Sequence, residues 1–251
     1  MYPLICLMDC LFVGQNIIAL SSVDSTNNYL INLSQNVNLV EGTVVVANQQ
    51  TAGKGQRTNN WHSESGKSLC VSILLTPKLD VNCQFTFNKF IALSLCQALQ
   101  TYGISAKIKW PNDIFIDFKK VAGILIENTI RANKIDKSVV GIGVNVNNSL
   151  NSIPQATSLE QCLEITPSLS ELLEVICEKI EKNYLIFKKQ PFLVNELYHK
   201  NLFKIGEVQL FSRNNKSFEG IIQSVNENGQ LVVEVNGHAE FYSMGEVKFM
   251  I

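Results

Sequence analysis

Residues 51–61, TAGKGQRTNNW, place two glycines, two cations and an aromatic ring in one polar segment. Glycines let backbone amides approach an anion closely, and charged contacts from Lys54 and Arg57 would each contribute roughly 1.5–3 kcal/mol to its binding. A solvent-facing turn uses the same residue types, because glycine and asparagine favour turns for conformational reasons alone. The segment therefore predicts either an ordinary polar turn or an anion-binding loop.

This segment does not match two common phosphate-binding motifs. Lys54 is followed by Gly55 where a Walker A motif has serine or threonine, and no glycine lies five residues before Gly53. Thr58 stands where the dinucleotide-binding fingerprint has its third glycine. An anion site at this segment must therefore be of another kind.

Three other polar or glycine-containing segments interrupt apolar stretches: STNN at 25–28, the region from KWPND to KKVAG at 109–123, and GIGVN at 141–145. Taken singly, each is explained by a helix cap, a solvated hairpin tip or a bulged strand. Glycines inside a strand also mark close approach by a ligand or another backbone. Together, the four segments are typical of one pocket assembled from several strand ends.

Lys120 is the cation of most interest outside the first segment, because it stands at the start of the apolar run VAGILIE. It is either a solvated neighbour of Lys119 or a group that points into the pocket. In the second case its ammonium would stabilise charge on a transferring phosphoryl or acyl group.

The elements that must position these segments follow from the hydrophobic pattern. Apolar runs predict strands at 17–20, 43–47, 68–75 and 139–147, and a β-hairpin at 114–118 and 121–127. Helical spacing predicts helices after a cap at Asp24 or Ser25, over 85–102 and over 168–187. The result is an α/β (α+β) fold with a mixed central sheet flanked by helices.

The last part of the chain has a different residue pattern. From about Leu202, short strands alternate with glycines at Gly206, Gly220, Gly229, Gly237 and Gly245. This spacing is typical of a small β-barrel. We therefore expect two domains, a principal one over residues 1–200 and a small barrel over residues 201–251.

Composition excludes several classes of protein. The net charge of −1 shows no excess of positive charge that would favour nucleic acid, and no run of about 18 apolar residues predicts a membrane span. The seven cysteines form no CxxC pair and fit no zinc spacing, so buried thiols are expected and a metal site is not. The apolar opening segment has no basic n-region and is interrupted by Asp9, which argues against secretion; Met1 and Met8 are both candidate starts.

Five segments occur in the order typical of the biotin protein ligases: DSTNNYL from Asp24, QTAGKGQRTNNW from Gln50, KWPND from Lys109, KKVAGILIE from Lys119 and GIGVNVN from Gly141. The chain resembles this family over nearly its whole length. The resemblance implies the class II synthetase-like biotin–lipoate ligase fold, with residues 1–200 as the catalytic domain. It also implies a two-step reaction in which biotin and ATP, carried with Mg²⁺, give biotinyl-5′-AMP and pyrophosphate. A lysine of a biotin carboxyl carrier protein, from acetyl-CoA carboxylase or a related carboxylase, would then accept the biotinyl group.

The resemblance also assigns roles to residues at matching positions. Biotin would contact Ser25, Thr26, Asn27, Gln50, Gly53, Lys54, Gly123 and Gly141. ATP and the adenylate would contact Lys54, Gly55, Gln56, Trp61, Asn112, Lys120 and Asn145. The catalytic residues would be Lys120, Asp113 and Arg57, with Lys120 contacting both the biotin carboxylate and the α-phosphate.

The loop departs from the family's common pattern, GRGRRGRxW. Lys54, Gln56 and Asn59 stand at positions where arginine is usual, and Thr58 stands at a glycine position. Lysine lacks the bidentate fork of arginine, so the hold on phosphate is expected to rest more on amides and on Arg57.

Two other functions remain open from the sequence alone. A lipoate or octanoate ligase on the related fold would have no use for Ser25, Thr26 and Gln50, which suit the ureido ring of biotin. A non-catalytic biotin-binding module would not need Lys120.

The expected setting is a cytoplasmic enzyme that binds neither nucleic acid nor membrane and that could form a homodimer, as is common in the family. Some family members carry an N-terminal helix-turn-helix domain. About two dozen residues precede DSTNN in this sequence, so DNA-binding activity is not expected.

Overall fold

The computed structural model describes residues 10–57, 59–150 and 153–250. The opening segment with Met1, Met8 and Asp9, and the loop residue Thr58, lie outside the described residues. Within the described part of the chain, no helix is long and apolar enough to cross a membrane. The same ranges contain two sheets and four α-helices.

The larger sheet contains eight strands: β1 (Ile17–Leu20), β2 (Val44–Ala47), β3 (Ser68–Leu75), β4 (Leu79–Asp80), β5 (Ala106–Lys109), β6 (Asp113–Ile116), β7 (Lys119–Arg131) and β8 (Lys134–Asn145). Their order across the sheet is β1–β2–β3–β8–β7–β6–β5, and β4 pairs with β8. β1 and β2 are parallel, whereas the other neighbours are antiparallel. Every residue of β3 is buried, which explains why this central strand is a nearly continuous apolar run.

Helices pack on both faces of this sheet. On one face, Leu30 of α1 (Thr26–Asn36) joins a cluster with Leu74 of β3 and Val139 of β8. The other face lies against α2 (Gln84–Gln100), α3 (Leu169–Lys189) and α4 (Pro191–Lys200), where alternate residues of β3, such as Val71 and Ile73, enter the main core. Because side chains alternate along a strand, Cys70 and Ser72 of β3 must share the face of α1.

The structure confirms the predicted mixed sheet with flanking helices and adds elements to it. The predicted hairpin consists of β6 and a longer β7, which turns into β8 through Ala132 and Asn133, both at positive φ. The elements that were not predicted include the two-residue strand β4, the four-residue β5, and α4, which begins with Pro191 directly after α3. Proline is tolerated there because the first amides of a helix have no partner within it. Ser25 is the residue before α1, as predicted, but its side chain makes no capping hydrogen bond.

After α4 the chain forms a second sheet of five strands: β9 (Val208–Arg213), β10 (Lys216–Val225), β11 (Leu231–Val235), β12 (His238–Tyr242) and β13 (Lys248–Phe249). Their order is β12–β11–β10–β9–β13. Closure into the predicted barrel is not seen among the described residues. The physical reason is that β13 has only two residues, both paired with β9, so β12 remains at the opposite edge.

The second sheet docks against the larger one through the turn between β10 and β11. Nε1 of Trp110, from the KWPND motif, donates to the carbonyl oxygen of Gly229 at 2.9 Å. Gly229 has a φ of +82°, and a Cβ there would lie 2.3 Å from the ring of Phe85, so glycine is required. Beside this contact, Nζ of the buried Lys89 donates to the carbonyl oxygen of Val225 at 2.6 Å. The motif tryptophan therefore joins the two sheets.

Candidate functional site

A cavity of about 470 Å³ lies between the α1 face of the larger sheet and the turn that precedes β13. The four polar segments noted in the sequence all contribute to its wall. Among the described residues that line it, one is acidic, Asp113, and five are basic: Lys54, Arg57, Lys109, Lys120 and Lys248. A chain with a net charge of −1 thus concentrates positive charge in one place, which suits a polyanionic ligand.

A single row of paired residues crosses the floor of this cavity. Lys109 lies opposite Asp113, Asp113 opposite Gly123, and Gly123 opposite Gly143. Residues directly opposite each other in neighbouring strands point to the same face of a sheet. The row therefore runs along the cavity floor from β5 at the sheet edge to β8 near the centre of the sheet.

A β-bulge in β7 aims Lys120 at this row. Lys120 pairs with Phe115 and Ala122 pairs with Ile114, which leaves Val121 as an extra residue between them. A bulge turns the side chains of its strand, so Lys120 shares a face with Gly123 although three positions separate them. Its Nζ lies 2.5 Å from Oδ1 of Asp113, and the two side chains are 35% and 18% exposed. Two of the three residues expected to be catalytic, Lys120 and Asp113, are therefore in contact and partly accessible.

The glycines inside β7 and β8 leave space for side chains that line the cavity. A Cβ on Gly123 would lie 3.2 Å from Nζ of Lys120, and one on Gly141 would lie 2.4 Å from Oδ1 of Asn27. A Cβ on Gly143 would lie 2.5 Å from the indole of Trp61. The sequence predicted approach by a ligand or another backbone at such glycines. The structure shows that they also make room for the side chains that line the cavity.

One end of the cavity is a network of buried polar side chains at the start of α1. Oε1 of Gln50 accepts hydrogen bonds from the Thr26 amide at 2.8 Å and from the Thr26 hydroxyl at 3.1 Å. The Ser72 hydroxyl lies 2.7 Å from Oγ1 of Thr26 and 2.6 Å from Oδ1 of Asn27. Nδ2 of Asn27 donates to Oε2 of Glu127 at 2.7 Å. These contacts fix three of the residues that the family resemblance assigns to biotin.

Ser72 and Glu127 were missed by the reasoning from sequence. Ser72 stands in the middle of the apolar run SLCVSILL, and a buried polar residue in such a run was a signal that could have been followed. Glu127 ends the KKVAGILIE motif, but nothing local shows that it reaches a residue one hundred positions away.

The flap, residues 51–61, forms a compact hairpin-like loop in its described part. The Gly55 amide donates to the carbonyl oxygen of Asn59 at 2.8 Å, and the Trp61 amide donates to that of Gly53 at 2.9 Å. Gly53 must be glycine, since a Cβ there would lie 2.5 Å from the carbonyl oxygen of Trp61.

The two flap cations are tied to opposite sides of the cavity. Nζ of Lys54 donates to Oδ1 of Asn28 on α1 at 2.6 Å. The exposed Arg57 has a φ of 59°, and its guanidinium donates to the carbonyl oxygen of Met244 in the second sheet. Gln56 lies between them and also lines the cavity.

The remaining predicted nucleotide residues lie in three places. Asn112 lines the cavity and holds the hairpin through its Nδ2, which donates to the carbonyl oxygen of Ile124 at 2.6 Å. Trp61 lies between the main cavity and a second one of about 430 Å³ that reaches residues 148–150. Asn145 is buried and donates to the carbonyl oxygen of Thr157 at 3.2 Å, so its described contact is structural.

The structure adds Lys109 and the end of the chain to the site. Nζ of Lys109 lies 5.2 Å from the centre of the Phe115 ring and 4.8 Å from that of Phe249. Burial lowers the pKa of Lys109, while the nearby Asp113 opposes that shift. Met244, Gly245, Val247, Lys248 and Phe249 of the second sheet also line the cavity. No local signal distinguished these last residues, because the docking of the two sheets alone brings them to the site.

Comparisons with known proteins agree with this geometry. Residues 19–145 match the model of the Biotin/lipoate A/B protein ligase family. The chain therefore belongs to the biotin/lipoate A/B protein ligase family. Within the described residues, no group of three or more histidine, cysteine, aspartate or glutamate side chains could hold a metal ion.

Two curated relatives and one solved structure illustrate the likeness. The bifunctional ligase/repressor BirA of Bacillus subtilis is 31% identical over 239 residues, covering 92% of this chain and 73% of the relative. The biotin–[acetyl-CoA-carboxylase] ligase of Mycobacterium tuberculosis is 23% identical over 231 residues, covering 89% and 85%. The biotin protein ligase of Aquifex aeolicus, solved in complex with biotin and ATP, has a TM-score of 0.77 and 28% identity, covering 94% of this chain and 98% of that one. These likenesses place the chain with the biotin protein ligases.

Proposed function

We propose that this chain is an ATP-dependent biotin protein ligase. It converts biotin and ATP into biotinyl-5′-AMP and pyrophosphate, and then transfers the biotinyl group to a lysine of a carrier protein. The observation that supports this most directly is the polarity of the cavity. Neutral hydrogen-bonding groups lie at one end, Lys109, Lys248 and Arg57 lie toward the second sheet, and Lys120 lies between them, while Lys54 reaches α1 from the flap.

The neutral end suits the ureido ring of biotin, which offers two N–H donors and one carbonyl acceptor. Oε1 of Gln50 is already engaged by Thr26, so its Nε2 group is the donor that it offers to a ligand. Ser25 lines the cavity, is buried, and makes no capping bond with its hydroxyl. These groups discriminate a ureido ring from an apolar acyl chain, because an acyl chain would leave them buried and unpaired.

The first step takes place where Lys120 lies. A carboxylate oxygen of biotin attacks the α-phosphorus of ATP, the bond to the bridging oxygen of the β-phosphate breaks, and pyrophosphate leaves with that oxygen. Two anions must meet for this, and the Lys120 ammonium lowers the barrier by attracting both, since charge builds up within its reach. Asp113 positions the ammonium through their direct contact.

In the second step the carrier amine attacks the carbonyl carbon of the mixed anhydride, an amide forms, and AMP leaves. The flap supports both steps in this proposal. Gly53 and Gly55 present amides, Lys54 and Arg57 supply charge, and Gln56 faces the adenylate phosphate. We propose that Trp61 and Asn112 contact the nucleotide and that the buried Asn145 supports this part of the cavity wall.

Mg²⁺ enters as part of the nucleotide substrate. The one acidic side chain among the described lining residues is Asp113, and it is paired with Lys120. This donor set fits an ion held mainly by phosphate oxygens, as is usual for Mg²⁺ bound with ATP. Its chemistry there would be to neutralise phosphate charge.

The finer parts of the proposal concern the setting of the enzyme. We propose a biotin carboxyl carrier domain of acetyl-CoA carboxylase as the acceptor, a cytoplasmic location and a possible homodimer. Cys70, Cys96 and Cys177 are buried thiols, and burial raises the pKa of Cys96 to about 12, so these thiols stay protonated and inert. We further propose separate domains over residues 1–200 and 201–251 and no role in nucleic-acid binding.

The test is exchange of radiolabelled pyrophosphate into ATP, measured with biotin, lipoate or octanoate as the acid. Exchange with biotin alone, followed by biotinylation of a purified biotin carboxyl carrier domain, is the expected result. Equal exchange with lipoate or octanoate would support the rival acyl ligase. Binding of biotin with no exchange at all would support the non-catalytic module.

A further inference from the structure

Among the described residues of the cavity wall, Lys109 and Lys248 are the two cations that have no role in either reaction step, and Lys109 is the one that lies in the row of paired residues with Asp113. It ends β5 at the edge of the larger sheet and faces the same side as Asp113, which lies opposite it in β6. The row of paired residues continues to Gly123, over which the Lys120 ammonium lies. The backbone of Lys109 therefore lies two strands away from that of Lys120, roughly 10 Å, on the side of the row remote from Gly143.

The position of Lys109 at the sheet edge matches the side from which pyrophosphate would leave, an inference that rests on the proposed function. Of the groups assigned to biotin, Thr26 contacts Ser72 of β3, and Gly141 lies opposite Ser72 in β8, so both are toward the centre of the sheet. Lys120 is assigned to the reacting phosphorus. In an in-line displacement the leaving group departs on the side opposite the attacking oxygen. If biotin attacks from the centre of the sheet, pyrophosphate departs toward its edge, where Lys109 lies.

The surroundings of Lys109 leave its charge available to such a ligand. Its described contacts are the faces of Phe115 and Phe249, which attract a cation without offering it a counter-anion. The nearest carboxylate, Asp113, is in direct contact with Lys120. Two aromatic rings from two different sheets thus hold an ammonium in the cavity wall in a fixed position.

We propose that Lys109 is the binding group for the β- and γ-phosphates of ATP and for the pyrophosphate that leaves in the first step. Lys120 serves the carboxylate and the α-phosphate, whereas Lys109 serves the part of the nucleotide that is absent from biotinyl-5′-AMP. Phe249 positions Lys109, and in this way the second sheet takes part in the first step.

Lys109→Met tests the assignment, because methionine keeps apolar contact with both rings and removes the charge. Relative to wild type, we expect about a tenfold or greater rise in both the KM for ATP and the inhibition constant of pyrophosphate, since a charge-assisted contact is lost. Transfer of biotin from pre-formed biotinyl-5′-AMP to the carrier should stay unchanged, which also reports that the variant is folded. Lys109→Arg should recover most of the affinity for pyrophosphate.

Lys119→Met is the matched control, because Lys119 is an exposed lysine near the same hairpin and does not line the cavity. Lys119→Met should leave the KM for ATP and the inhibition constant of pyrophosphate unchanged. The inference fails if Lys109→Met leaves pyrophosphate inhibition unaltered, or if it impairs transfer from pre-formed adenylate as strongly as the first step. An absence of biotin-dependent exchange in the wild type would instead overturn the proposed function, so the two failures are distinguishable.

Discussion

The end of the cavity that we propose for biotin and the end that we propose for phosphate, called the biotin end and the phosphate end, are held in different ways. At the biotin end, Thr26, Asn27 and Ser72 are buried and bonded to one another, and Gln50 completes the network. At the phosphate end, the cations come from separate elements and have few polar partners. Lys120 is about one-third exposed, and Lys109 contacts aromatic rings.

The difference follows from what each end must bind. A neutral ring is recognised by groups whose position is set before it arrives, and buried polar groups must be paired to be stable. Phosphate charge attracts cations over a longer range, and one part of that charge must leave as pyrophosphate. Substitutions at the two ends should therefore have separable effects on biotin and on ATP.

Lys120→Ala should abolish most of the first step. The variant loses the ammonium that attracts both the carboxylate and the α-phosphate, so we expect the rate of biotin-dependent pyrophosphate exchange to fall about 10²–10³-fold. Lys119→Ala removes a neighbouring exposed lysine and should have no effect. A loss smaller than about tenfold would mean that another group stabilises the reacting phosphate.

Ser72→Ala should act on the biotin end alone. Both Thr26 and Asn27 lose a partner at 2.7 and 2.6 Å, so the KM for biotin should rise about tenfold while the KM for ATP stays constant. Ser94→Ala is the matched control, since Ser94 is also buried but bonds to Phe90 of α2 and Asn183 of α3, neither of which lines the cavity. If the KM for ATP rises as much as that for biotin, the two ends are not independent.

Gln56→Arg should have a smaller effect, which is slower release of biotinyl-5′-AMP from the phosphate end. A guanidinium facing the adenylate adds one partly solvent-screened charge contact, so release of biotinyl-5′-AMP should slow about threefold to tenfold. Gln56→Glu should accelerate release, because it places a like charge beside the phosphate. Release can be followed by trapping adenylate made from labelled biotin. Equal release rates for the two variants would show that this side chain does not face the phosphate.

Lys89→Met should leave the chemistry intact and alter the pH dependence of stability at the contact between the sheets. Burial lowers the pKa of Lys89 to about 8 from 10.5, with Glu227 opposing the shift. Between these pH values the unfolded chain binds more protons than the folded one, so folding stability contributed by this group rises with pH across that window.

The measurement is the free energy of unfolding by denaturant from pH 7 to pH 10.5. The stability of the wild type relative to Lys89→Met should rise by about 2 kcal/mol between pH 8 and 10.5, with partial solvent screening allowed for. Lys182→Met, at an exposed position of α3, should show no such trend. A difference between wild type and Lys89→Met that is constant with pH would contradict the buried-amine explanation.

Much of the fold was predictable because its signals are local. The apolar runs that became β2, β3 and β8, and the helical spacing of α2 and α3, follow directly from side-chain alternation and periodicity. The motif residues were found for the same reason, since glycines, cations and a tryptophan in a polar loop are conspicuous. The short β5, α4 and the open second sheet were not predicted, because each depends on pairing or packing with distant residues.

The residue types, the short segments that carry them and the alternation of strands and helices can all be read from the sequence. Which residues lie opposite one another across the sheet is set by the tertiary structure. The row from Lys109 to Gly143, the bulge that aims Lys120, the buried Ser72 and the contribution of Phe249 all depend on register and docking between segments far apart in the chain. Local periodicity sets the face on which a side chain lies, whereas its neighbours across the sheet are set by the lowest free energy of the whole assembled core.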